Sequence, residues 1–219
     1  MIEYGAKMFV ERKFISKKHI GEHLEYLEYT PKNNTKKKPL LIYIHGAGSR
    51  GDNLSQIAHV GPIKEIETGR SIDAVVVAPQ CHSETWFDLF SVLEEFIEEY
   101  KNSEEIDNTR VYITGVSMGA YAVWQLCISH PDWFAAALPI CGGGMYWNAS
   151  RLKSLPIWAF HGALDDVVFP EESIKMVAAI NRCGGNAKLT IFPKDYHNSW
   201  DSAYGIDELW DWLFKQKRR

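Results

Sequence analysis

The stretch Arg110–Leu126, "RVYITGVSMGAYAVWQL", decides how the rest of the chain is read. Its first half is apolar and β-branched, and its second half is alanine-rich with helical spacing. Between them stands Gly115-Val116-Ser117-Met118-Gly119. A Gly-x-Ser-x-Gly pentapeptide is weak evidence by itself. Set between a strand and a helix, it predicts a sharp turn on which Ser117 projects, with glycines allowing neighbouring backbone to approach. The helix N-terminus beside the hydroxyl offers unsatisfied N–H groups that favour developing negative charge.

Other apolar runs of strand length surround it: Leu40–Gly46, Asp73–Pro79, Val111–Gly115, Phe134–Cys141, Pro156–Gly162 and Lys188–Pro193. Their apolarity is continuous, the pattern of strands covered on both faces in a parallel sheet. Helical patterns alternate with them. "WFDLFSVLEEFIEEYK" (Trp86–Lys101) carries a stripe from Phe87 to Tyr100 with glutamates opposite. "PEESIKMVAAINRCGG" ends in a glycine pair suited to a helix C-terminus, and "DELWDWLFKQK" lies near the end of the chain. "EHLEYLEYTP" (Glu22–Pro31) alternates, as an antiparallel edge strand does. The expected architecture is a three-layer α/β sandwich, mostly parallel with antiparallel N-terminal strands, forming a single domain over residues 1–219. Loops after His45, Ser117, His161 and Pro193 then share the carboxyl rim, where reactive groups collect.

A serine nucleophile needs a base and an orienting acid. Among eight histidines, His197 in "PKDYHNSWDSAY" follows the last strand and is the candidate base, with His82 in "PQCHSETW" as competitor. His45 and His161 precede glycines at strand ends and read as loop organisers. Asp165 in "FHGALDDVVFPEES" is the candidate acid, with Asp166 beside it as the alternative. Asp195 and Asp201 lie too near His197 in sequence to be obvious partners. The order Ser117, Asp165, His197 is that of the α/β-hydrolase triad. Oxyanion donors are expected from the backbone of Met118 and from "HGAGSRGDN", Ala47 first and Gly48 second. That loop lacks the lysine and spacing of a nucleotide-binding P-loop.

Totals exclude other classes. The chain has 219 residues, 46% hydrophobic, with net charge −4, so no basic face for nucleic acid is expected. Lys36–Lys38 reads as a solvated loop. No apolar run reaches membrane-spanning length, and the amino terminus reads as no signal peptide, for which a cytoplasmic monomer or small homo-oligomer is the expectation. Four scattered cysteines predict packed thiols at Cys127 and Cys141, with no disulfide framework or zinc site.

The pieces "IYIHGAGSRGDN", "VVAPQC", "RVYITGVSMGAYAVWQL", "HPDWFAAALPICGGG", "IWAFHGALDDVV" and "HNSWD" together make the chain resemble the α/β-hydrolase superfamily. It is similar to small esterases and peptidases related to feruloyl esterases, dienelactone-hydrolase-like proteins and prolyl-oligopeptidase catalytic domains. The resemblance implies Ser117 as nucleophile, Asp165 as acid, His197 as base, and Ala47 and Met118 as oxyanion donors, with no metal or cofactor. Ala120 stands where relatives often have a second glycine, and Phe169 intervenes before Pro170. Dienelactone hydrolase itself has cysteine where this chain has Ser117. The expected activity is hydrolysis of short-chain or aromatic carboxylic esters, acylated plant sugars among them. A prolyl-oligopeptidase-like peptidase and a non-catalytic binding fold are the alternatives. Only "GGGMYWNASRLKSL" joins two late strands, so no large lid is expected. Tyr146 and Trp147 are the candidate substrate wall. Trp86 and Trp200 are further candidates, with packing under loops the simpler reading for both.

Overall fold

The computed structural model describes residues 8–32 and 37–218. Lys36 and the first seven residues, on which part of the amino-terminal reading rests, lie outside them. Among the described residues one sheet contains β1 (Val10–Ile15), β2 (His23–Tyr29), β3 (Lys38–Ile44), β4 (Val75–Pro79), β5 (Ile106–Val116), β6 (Ala136–Ile140), β7 (Trp158–Gly162) and β8 (Lys188–Phe192). Their order is β1-β2-β4-β3-β5-β6-β7-β8. β1 pairs antiparallel with β2, and β2 antiparallel with β4. From β4 onward neighbours run parallel.

Six α-helices accompany the sheet in the described residues: α1 (Gly61–Glu67), α2 (Phe90–Lys101), α3 (Met118–Ser129), α4 (Glu171–Arg182), α5 (Trp200–Tyr204) and α6 (Asp207–Lys215). The pleat of β3 shows how they are divided. Leu40, Ile42 and Ile44 pack with Phe96 of α2, Val123 of α3 and Met176 of α4. Leu41 and Tyr43 turn the other way, toward Ile63 of α1, Tyr204 of α5 and Leu213 of α6. Both faces are therefore apolar and covered, and every residue of β4, β6 and β7 is buried. Each such aliphatic or aromatic side chain contributes about 1.5–3 kcal/mol by leaving water. This is the three-layer α/β-hydrolase arrangement expected from the sequence. Only a 3₁₀ helix, Tyr146–Leu152, occupies the β6–β7 connection, and no large lid is inserted there.

The sheet also corrects three local expectations. The antiparallel edge is β1, whose residues are exposed except for Phe14. The alternating segment β2 lies one strand inward, with β1 and β4 on either side. Helix α2 starts at Phe90, because Asp88 accepts from the Thr85 N–H (2.8 Å) and hydroxyl (2.9 Å) and holds a preceding turn. That leaves Phe87 exposed. Finally, Glu95 does not face solvent with the other glutamates. It is buried and accepts from the Ser16 hydroxyl (2.5 Å) and the Lys17 N–H (2.8 Å), closing the β1–β2 connection onto α2.

The chain adds β4 on one side of β3 and then returns to place β5 on the other. The carboxyl ends of β3 and β5 thus flank the point where the winding reverses, which is where open α/β sheets form their crevices.

Candidate active site

Ser117 stands between β5 and α3 with φ +53° and ψ −122°, a strained left-handed backbone for a residue with a side chain. Neighbouring glycines make the turn possible. A Cβ on Gly119 would lie 2.0 Å from the Ile44 carbonyl oxygen, and one on Gly115 would lie 2.8 Å from the same atom. Only bare backbone lets α3 start this close to β3. The Ser117 N–H donates to the Ile140 carbonyl at 3.0 Å, tying the elbow to β6.

The turn after β7 brings in Asp165 and the turn after β8 brings in His197. A Cβ on Gly162 would fall 2.3 Å from the Tyr196 carbonyl oxygen, so glycine there lets the two loops touch. The Leu164 N–H donates to the Asp195 carbonyl (2.9 Å) and fastens them. His197 Nδ1 lies 2.8 Å from Asp165 Oδ2, and His197 Nε2 lies 2.9 Å from Ser117 Oγ. Asp165 Oδ1 accepts from the N–H groups of Val167 (3.0 Å) and Val168 (2.9 Å). Burial alone would push this carboxyl up. The His197 hydrogen bond and the two backbone donors outweigh it and hold Asp165 below its ordinary value, as an anion.

The competing candidates are engaged elsewhere. Asp166 is exposed, and Asp201 pairs with Lys64 at 2.7 Å. His82 stacks on His23 of β2, ring centroids 5.0 Å apart. His130 bonds Glu94 at 2.7 Å and stacks on Trp133.

Ala47 and Met118 each open a helix, a short 3₁₀ turn and α3 respectively, so no preceding turn accepts from their N–H groups. Gly46 sets the two side by side, since a Cβ on it would meet Ser117 Cβ at 3.4 Å. The loop carrying Ala47 is clamped from below. His45 is fully buried; its Nδ1–H donates to the Gly46 carbonyl (2.7 Å) and its Nε2 accepts from the Cys81 N–H (2.9 Å). Burial pushes this imidazole down to about 4, so it is neutral, as those two bonds require. Gln80 Nε2 donates to the carbonyls of Ser49 and Asn53, both at 2.9 Å. Gln80 went unnoticed in the sequence, although a polar residue closing the buried "VVVAP" strand is the available signal.

A cleft of about 380 Å³ opens beside Ser117 and His197, lined among others by Gly46, Ala47, Val60, Val116, Val167 and Trp200. Trp200 is therefore a wall residue, its ring edge-on to His197 with centroids 5.4 Å apart. Trp86 is not. It is fully buried, donates its indole N–H to the His45 carbonyl (2.9 Å) and supports the Ala47 loop from beneath. Tyr146 and Trp147 pack edge to face on the β6–β7 connection, are 49% and 68% exposed, and do not line this cleft. Val60 and Val167 do, and nothing in their local sequence distinguishes them from core valines.

Cys141, Asp165 and His197 have donor atoms within 4.8 Å of one another. The last two are hydrogen-bonded together, and burial pushes the Cys141 thiol up to about 12. A protonated thiol beside a histidine and a carboxylate that already satisfy each other fits a hydrogen-bonded pair better than a metal-ligand set.

Comparison with known proteins gives the family. The family described as Phospholipase/Carboxylesterase matches residues 28–205. A bifunctional acetylxylan esterase/xylanase of Neocallimastix patriciarum is 26% identical over 147 residues, which is 64% of this chain and 21% of that protein. A thermostable esterase of known structure is 30% identical with a TM-score of 0.79, covering 96% of this chain and 64% of its own. A ferulic acid esterase shares the fold at 16% identity and TM-score 0.73, covering 94% and 98%. This chain thus spans about a fifth of the curated relative and somewhat under two thirds of the thermostable esterase. It belongs to the phospholipase/carboxylesterase family of α/β hydrolases, a family of carboxylic ester hydrolases.

Proposed function

We propose that the protein hydrolyses carboxylic esters by acyl transfer to Ser117. The observation that carries this reading is the unbroken series Ser117 Oγ, His197, Asp165, with contacts of 2.9 and 2.8 Å. His197 Nε2 takes the hydroxyl proton as Oγ attacks the ester carbonyl, while Asp165 holds Nδ1–H and stabilises the imidazolium. The N–H groups of Ala47 and Met118 receive the oxyanion. The alcohol leaves with the proton from His197, and water attacks the acyl-enzyme by the same route to release the acid and free Ser117.

The acyl groups proposed are short or aromatic. A cleft of about 380 Å³ walled by Val60, Val116, Val167 and Trp200 supports apolar acyl groups of modest size. The names of the acetylxylan and ferulic acid esterases support acylated plant sugars as the natural source. The test is hydrolysis of p-nitrophenyl acetate, butyrate and octanoate by wild type and Ser117→Ala, with labelling by a fluorophosphonate. Activity and labelling lost together in a folded variant uphold the reading. Labelling of wild type without ester turnover shifts the substrate to peptides, and no labelling at all leaves a binding protein.

A further inference from the structure

We propose that His161, the buried histidine behind the acid, is a positioning residue held as an imidazolium that restrains proton uptake by His197. Hydrogen-bond accounting carries this. His161 Nε2 lies 2.8 Å from the Val168 carbonyl oxygen and 3.2 Å from Asp165 Oδ2. A carbonyl and a carboxylate held anionic only accept, so Nε2 bears a hydrogen. His161 Nδ1 lies 2.8 Å from the Ser173 hydroxyl, which itself donates to the Gly142 carbonyl at 2.8 Å. Ser173 has one hydrogen and has used it, so Nδ1 must supply the hydrogen of its own contact. A neutral ring would leave the Ser173 and Gly142 oxygens 2.8 Å apart with nothing between them.

His161 and Ser173 are both fully buried. A buried cation persists only when paired, and Asp165 is its partner. The other titratable groups around that carboxylate are His197 on the turn after β8, Cys141 at the end of β6 and Tyr121 on α3, with Glu172 of α4 beyond them. Asp165 Oδ2 is therefore shared between two imidazoles, at 2.8 Å from His197 and 3.2 Å from His161. A fixed positive charge across the shared carboxylate opposes a second one on His197. The base stays neutral, and able to take the Ser117 proton, to lower pH than a single His–Asp pair would allow.

This role rests on the reading of Ser117, His197 and Asp165 given above, but its test needs no substrate. Long-range ¹H–¹⁵N NMR on histidine-labelled wild type, Ser173→Ala and His161→Gln reads both rings directly. In wild type His161 is expected to show two protonated nitrogens at neutral pH, and Ser173→Ala to lose the proton on Nδ1. In both variants the midpoint of His197 proton uptake should rise by about one pH unit, as expected for removing a charge a few ångströms away. The acid limb of kcat/KM should move with it. A neutral His161 in wild type, or an unmoved His197 midpoint in the variants, overturns the proposal. So does lost activity with an unmoved acid limb, the mark of a merely structural histidine. Ser173→Ala removes a single hydroxyl and keeps the test open should His161→Gln fail to fold. Absence of ester turnover would sink the proposed function while leaving these NMR readings intact.

Discussion

Strands β3 and β7 each lead into a His-Gly pair at the rim, His45-Gly46 and His161-Gly162, both histidines are buried, and the two rings meet opposite surroundings. His45 gives one hydrogen to Gly46 and takes one from Cys81, an arrangement that only a neutral ring satisfies. His161 faces two obligate acceptors at one nitrogen and a committed hydroxyl at the other, which asks for both ring hydrogens. One loop holds backbone donors for negative charge; the other holds a carboxylate. The same dipeptide becomes a neutral strut or a charged one according to what the neighbouring chain presents.

The comparison breaks most sharply at Asp165. Asp165→Asn is expected to cut kcat about 10⁴-fold by spoiling the orientation of His197. It should also cost about 3 kcal/mol of stability by removing the carboxylate that the buried His161 faces at 3.2 Å. Urea unfolding would show the loss, and an unchanged midpoint would argue against that contact.

Next in size are the paired glycines. Gly162→Ala drives a methyl to 2.3 Å from the Tyr196 carbonyl oxygen, whereas the nearest atom to a Cβ on Gly46 is the Val116 carbonyl oxygen at 3.3 Å. The first should cost about 3 kcal/mol and separate acid from base, and the second about 1 kcal/mol. Denaturation midpoints of the two variants test the ranking directly.

His45 gives an effect that is gated by pH and absent near neutrality. Its folded-state value of about 4 lies below the ordinary 6.5, so the unfolded chain binds the extra proton between those limits. Stability linked to this ring is present above pH 6.5 and is lost as pH falls toward 4, reaching roughly 3 kcal/mol. His45→Gln should flatten that part of the stability profile. The smallest effect is expected at Trp147→Ala, which lies off the cleft and should leave kcat/KM for p-nitrophenyl acetate unchanged. Trp200→Ala, on the cleft wall, should not.

Much of this was legible in one dimension because it is local. Gly-x-Ser-x-Gly between strand and helix announces an elbow, since the glycines are needed within two residues of the serine. Continuous apolar runs announce covered parallel strands. What escaped depends on partners distant in the chain. Trp86 and Trp200 both read most simply as packing under loops; Trp86 does so, its indole N–H meeting the His45 carbonyl 41 positions away, whereas Trp200 walls the cleft. Glu95 fell on the polar stripe of α2 and is buried, because the β1–β2 connection brought it a hydroxyl and backbone N–H groups. Val60 and Val167 became cleft walls only when their loops closed around Ser117.

Sequence alone thus determined the layer architecture, the elbow and the chemical types and order of the three candidate catalytic groups. These depend on side-chain periodicity and on backbone freedom at single glycines, which a few neighbouring residues express. The tertiary structure alone decided which aromatic lines the cleft, which strand forms the antiparallel edge and which hydrogen-bond partners the two buried histidines meet. Those follow from hydrogen-bond partners that loop closure and strand register bring together, and no local segment contains both members of such a pair.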